Sequence, residues 1–175
     1  MVLISTGASI GFVTRILPDG WIDPVFGING FYLEFGMETG VTAVGVDPSG
    51  RIWLLGRLLA DGTGWWIFQL LDTGGNPTDN RALTFPGYGF ETTIPTAMVI
   101  QPDGDVLLGG WGRTGSPDYF ASMAVARILG STLNLDPTFG GGGTGELVIT
   151  DFESAYLRSI AFQPDRSIVV AGEYG

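Results

Sequence analysis

Apolar, β-branched and aromatic residues run through this chain in stretches of roughly five to eight, the length of half-buried strands. Pro-Asp-Gly, Pro-Ser-Gly and Asp-Gly break the stretches, and helical spacing is nowhere sustained. Runs bounded by tight turns of this kind predict antiparallel strands. In the middle of the chain they fall at about Val41 to Val46, Arg51 to Leu58, Trp65 to Leu71 and Arg81 to Phe85.

That four-strand pattern recurs. "VGVDPSGRIWLLG", "MVIQPDGDVLLGG" and "IAFQPDRSIVVAG" share an apolar run, a Pro-centred turn, a second apolar run and a closing glycine, and Pro48, Pro102 and Pro164 lie 54 and 62 residues apart. "FVTRILPDG", "WIFQLLDTG" and "VARILGSTL" place Arg15, Gln69 and Arg127 in matching strands. "DPVFG" from Asp23 and "DPTFG" from Asp136 follow two of them, with Asn76-Pro77 softening the motif between. A four-stranded unit repeated about a centre is a propeller blade. The expected fold is therefore all-β: a β-propeller-like array of about three four-stranded antiparallel blades. They form a single domain over 1–175, with repeats at about 1–51, 52–105 and 106–167 and an extra strand at 168–175. "VLIST" near the start matches "IVVAG" near the end, so the chain opens and closes at one point of the cycle. Propellers typically have four to eight blades. The ring is expected to be completed by oligomerisation, a dimer being a simpler closure than a trimer, or by further blades.

The cycle of "QPDG-D-VLLGG", "VARIL" and "DPTFG" resembles the delta-60 repeat family of bacterial β-propeller-like proteins, from about Phe12 to Gly172. The departures are Gln69 for Arg, Asn76 for Asp, and Arg166 in place of a turn glycine. The resemblance implies a propeller or propeller segment, often in exported or surface proteins, and implies no established chemistry.

Composition narrows the partners. Eighteen acids stand against eight arginines with no lysine, a formal charge of −10, which argues against nucleic acid and against an anionic membrane surface. No apolar run reaches the roughly 18 residues of a membrane helix, and no basic, apolar leader precedes the strand-like "VLISTG". Without cysteine there is no thiol chemistry, and without histidine the commonest general base and metal ligand are missing. No cofactor is expected.

Candidate chemistry is correspondingly thin. The glycines of "LDPTFGGGGTGEL" lack the lysine that a phosphate loop needs and are expected to let a connecting loop turn. Asp103-Gly104-Asp105 and Pro18-Asp19-Gly20 offer oxygens suited to calcium, but also the residues that hairpin turns require. Arg15 with Asp23 and Arg127 with Asp136 are expected to form charged pairs, and Gln69 with Asn76 a neutral one. Trp65 and Trp66, adjacent on a strand, must point to opposite faces. Trp21, Trp66, Tyr88, Trp111 and Tyr119 are the aromatic candidates for contacts with a glycan or protein. These features predict a non-catalytic interaction or structural module, with copies of itself, adjoining subunits or glycan as partners. An extracellular, cell-surface or virion setting is favoured over the cytoplasm. The competing expectation is a glycan hydrolase or lyase acting in a central funnel through a carboxylate pair.

Overall fold

The Pro-centred turns close hairpins with one pattern of backbone bonds. The Asp47 N–H donates to the Arg51 carbonyl at 3.0 Å and the Gly50 N–H back to Asp47 at 2.8 Å. Gln101 with Asp105 and Gly104 repeats this at 2.7 and 2.9 Å, and Gln163 with Ser167 and Arg166 at 2.9 and 3.0 Å. The fourth residue of each turn takes a left-handed backbone, with φ of 85° at Gly50, 92° at Gly104 and 71° at Arg166. This turn, followed by a left-handed residue, matches the twist of the strands it joins.

The computed structural model describes residues 11–34, 40–60, 63–85, 87–115, 120–151 and 154–175, with no helix among the described residues. The strands are β1 (Gly11–Thr14), β2 (Phe31–Glu34), β3 (Val41–Val46), β4 (Ile52–Ala60), β5 (Thr63–Leu71), β6 (Pro77–Leu83), β7 (Phe90–Ile100), β8 (Val106–Thr114), β9 (Ala121–Ile128), β10 (Glu146–Ile149), β11 (Ala155–Phe162) and β12 (Ile168–Tyr174). They form two four-stranded antiparallel meanders, β3-β4-β5-β6 and β7-β8-β9-β10, flanked by the two-stranded sheets β1-β2 and β11-β12. The protein is thus all-β, with antiparallel sheets of two to four strands and no closed sheet among the described residues. The fourth strand of the middle unit begins at Pro77, earlier than the expected Arg81. A proline is tolerated at the first position of a strand.

The sheets stack face to face in chain order. Trp53, Leu55, Trp66, Phe68 and Leu70 of β4 and β5 pack against Val106, Leu108, Ala124, Ala126 and Ile128 of β8 and β9. On the other face of the second meander, Leu107 and Val125 meet Leu157 and Ile160 of β11. On the outer face of the first meander, Leu54 and Leu71 meet Phe26 from the β1–β2 connection. Both meanders are therefore apolar on two faces, which is why "WLL" and "VLL" read as continuous runs rather than alternations. Full burial of each large side chain contributes roughly 1.5–3 kcal/mol.

Gly110 illustrates how tight the central contact is. A Cβ there would collide with the Ile94 carbonyl and lie 2.7 Å from the Trp66 ring. The glycine run behaves as punctuation, since Gly140, Gly141, Gly143 and Gly145 all have positive φ in the loop from β9 to β10.

Candidate functional site

A row of aromatic rings leads from the core to the surface. Trp66, fully buried, meets Phe85 edge-on at 4.6 Å; Phe85 meets Phe90 at 6.4 Å; and Tyr88 stacks on Phe90 at 5.9 Å with the planes 19° apart. Tyr88 lies in the β6–β7 connection, and Phe90 opens β7. Together they wall an open cleft of about 400 Å³ at the end of the second meander where β7 and β9 begin and β8 and β10 end. Phe120 and Val148 add apolar surface, while Thr114, Ser122, Thr150 and Asp151 bring hydroxyls and a carboxylate. The Phe120 N–H donates to Thr114 Oγ1 at 3.1 Å, fixing that hydroxyl beside the rings. An apolar floor with a few placed polar groups is the usual make-up of a ligand site.

Of the aromatic candidates, only Tyr88 lines this cleft among the described residues. Trp21 is 74% exposed on the β1–β2 hairpin, away from it. Trp111 packs edge-on against Tyr156 at 4.9 Å, between the second meander and β11. Trp66 is corrected: it has no exposed surface, being the side chain that seats over Gly110 between the meanders. Tyr119 lies outside the described residues. The sequence reading missed Phe90, Phe120 and the hydroxyls, whose shared cleft depends on which ends of four strands meet. The only sequence cue is the Gly-flanked "GYGF", which sets two aromatics beside a turn.

The paired residues form a second constellation. Arg15 Nε donates to Asp23 Oδ2 at 2.7 Å, and Arg127 Nε to Asp136 Oδ2 at 2.6 Å. Each guanidinium also covers the phenylalanine of its own Asp-Pro-x-Phe loop, Phe26 at 5.3 Å and Phe139 at 5.1 Å. These two phenylalanines pack on the following sheet, and Arg15 Nη1 reaches the Thr73 carbonyl there at 2.6 Å. Asp23 is held below the ordinary carboxylate range by the Val25 N–H and then by Arg15. Asp136 is held down by the Thr138 N–H and hydroxyl and then by Arg127.

The middle unit departs from expectation. Asn76 gives its side-chain amide to Asp72, at 3.1 and 3.0 Å, and the buried Gln69 Oε1 has no hydrogen-bond partner. The expected Gln69–Asn76 pair does not form. Leu70 occupies the place of the arginines, opposite Asp79, while Gln69 pairs in register with Asn80. The unbroken β4–β5 ladder sets Leu70 opposite Trp53 as β8–β9 sets Arg127 opposite Leu107, so Gln69, one residue earlier, points to the other face.

Asp47, Asp19, Asp103 and Asp105 serve turns. Asp47, 4% exposed, accepts from Ser49, Arg51 and the Trp53 indole. Burial pushes its carboxyl up, but hydrogen bonds from Ser49, Trp53 and Arg51 outweigh this and hold it down to about 2. In the turns considered for calcium, Asp19 accepts the Trp21 N–H at 3.2 Å, Asp103 the Asp105 N–H at 3.2 Å, and Asp105 the Gly130 N–H at 2.9 Å. Among the described residues no three acidic side chains gather as metal ligands would.

No known protein-family model matches the chain, and no curated protein matches it.

Proposed function

We propose that this chain is a non-catalytic, β-propeller-like interaction module that holds a glycan in the Tyr88–Phe90 cleft. The observation that carries this reading is the stacked aromatic wall of that cleft, braced by Phe85 and Trp66 and flanked by the hydroxyls of Thr114, Ser122 and Thr150. A sugar offers an apolar C–H face to an aromatic ring and hydroxyls around its edge, and this lining answers both. The stacking of two meanders and two hairpins in chain order supports a propeller-like array. Its likeness to delta-60 repeats extends the proposal to an exported or surface setting.

Glycoside hydrolysis needs two carboxylates across one sugar, about 5–9.5 Å apart. Asp151 is the one carboxylate lining the cleft among the described residues. Binding is therefore preferred to turnover. The test is a glycan array set beside a peptide array and a hydrolysis screen, run on the parent and on Tyr88→Ala. Retained glycans that lose at least tenfold in affinity on Tyr88→Ala support the reading. Retention unaffected by Tyr88→Ala, or turnover abolished by Asp151→Asn, overturns it.

A further inference from the structure

One turn carries an arginine where its two sisters carry glycine. Arg166 sits in the Gln163–Ser167 turn with φ of 71°, the backbone that Gly50 and Gly104 supply in the β3–β4 and β7–β8 turns. A side chain at such an angle costs stability that glycine would avoid, and residues held there gather at functional sites. The side chain gains no ion pair in return. Arg15, Arg51, Arg81, Arg127 and Arg158 are each paired with a carboxylate. The Arg166 guanidinium has no hydrogen-bond or ion-pair partner among the described residues. It lines instead an open groove of about 610 Å³ between two turns, with Pro102 and Asp103 on one side and Phe162, Gln163 and Pro164 on the other. The groove lies where β7 ends and β8 begins, at the opposite end of the second meander from the Tyr88–Phe90 cleft, and it shares no lining residue with that cleft. Asp103 accepts the Asp105 N–H through one carboxylate oxygen and forms no ion pair with Arg166 across the groove.

We propose that this groove is a second binding site, separate from the cleft, which takes a sugar carrying a single carboxylate, such as a uronate. A guanidinium pairs with a carboxylate through two parallel hydrogen bonds. The C–H face of the sugar ring lies against Phe162, Pro102 and Pro164, and its hydroxyls donate to the Asp103 carboxylate and the Gln163 amide oxygen. Asp103 separates this ligand from an acidic peptide. A run of carboxylates would bring further negative charge to Asp103 and to a chain of formal charge −10, which repels polyanions. A lone carboxylate ringed by hydroxyls meets Arg166 without that repulsion. The strain at Arg166 is then accounted for by what the side chain binds, not by what it packs against.

The test titrates isotope-labelled protein with methyl glucuronide, with the uncharged methyl ester of that sugar, and with triglutamate, following the backbone amides by NMR. Methyl glucuronide is expected to shift the amides of Asp103, Gln163 and Arg166 but not those of Tyr88 and Phe90. It should bind roughly tenfold more tightly than its ester, the effect of one charge-assisted contact. Arg166→Gly is expected to lose that roughly tenfold preference while its urea midpoint rises, so the loss cannot be put down to unfolding. Arg166→Gln, which keeps a side chain at the same backbone angle, should lose it equally. Equal binding of the ester, undiminished binding by Arg166→Gly and Arg166→Gln, or a preference for triglutamate overturns the proposal. Shifts confined to Tyr88 and Phe90 overturn it too, and leave the cleft reading standing. So does the absence of shifts with all three compounds.

Discussion

Arg127 and Asp136 meet through two guanidinium nitrogens, Nε at 2.6 Å and Nη2 at 2.5 Å, and the same guanidinium lies over the Phe139 ring. One arginine thus ties the start of a loop to the aromatic side chain that the loop delivers to the next sheet. The Asp136 side chain is 7% exposed and that of Arg127 25%. A double-mutant cycle of Arg127→Gln and Asp136→Asn, followed by urea denaturation, is expected to give a coupling of about 1 kcal/mol. Additive single effects would mean that the loop is held by Phe139 and the Thr138 cap alone.

Acid should weaken the fold through Asp47. Its carboxyl is lowered from 3.8 to about 2 in the folded protein. The stability it contributes is therefore complete above about pH 4 and is lost as the pH falls towards 2, amounting to about 2 kcal/mol. Asp47→Asn is expected to cost about that much at pH 7 and little at pH 2, read from urea midpoints across the range. Glu146, raised by burial, works the other way. Glu146→Gln should gain stability at neutral pH and nothing below pH 4.

Arg166 occupies a left-handed backbone position that glycine fills in the two sister turns. A non-glycine residue there costs roughly 1–2 kcal/mol, partly offset because glycine leaves a freer unfolded chain. Arg166→Gly is expected to stabilise by about 0.5–1 kcal/mol, seen as a higher melting temperature. A lower one would mean that the Arg166 side chain makes a compensating contact.

Gly110 should not accept even a methyl group. With the Ile94 carbonyl and the Trp66 ring in the way, Gly110→Ala is expected to cost about 1–3 kcal/mol. Trp66→Leu in the same chain should recover part of the loss, because it removes one of the two obstacles. The measurement is again the urea midpoint, for both single variants and the double.

The turns, the strands and the charged pairs at Arg15 and Arg127 were legible because proline, glycine and aspartate do local work that depends on a few neighbours. The middle unit was not. Matching Gln69 to the arginines by sequence is off by one residue, and only the ladders, with Leu70 opposite Trp53 as Arg127 is opposite Leu107, show it. Adjacent tryptophans declare that they face opposite ways, but which of them is buried depends on the sheet that covers it. The cleft was hidden for the same reason: Tyr88, Thr114 and Thr150 are far apart in the chain and meet only once four strands are aligned.

Every ladder among the described residues joins strands that follow one another along the chain. The longest connections, from β1 to β2 and from β9 to β10, are still local in the chain, so the entropy lost in bringing the paired segments together is small for each step. Folding can nucleate at either meander, whose hairpins form locally. The contact of Trp53 and Trp66 with Leu108 and Ile128 then becomes the step that commits the two to one another. Destabilising substitutions in that contact should slow folding, whereas those in the flanking hairpins should chiefly hasten unfolding.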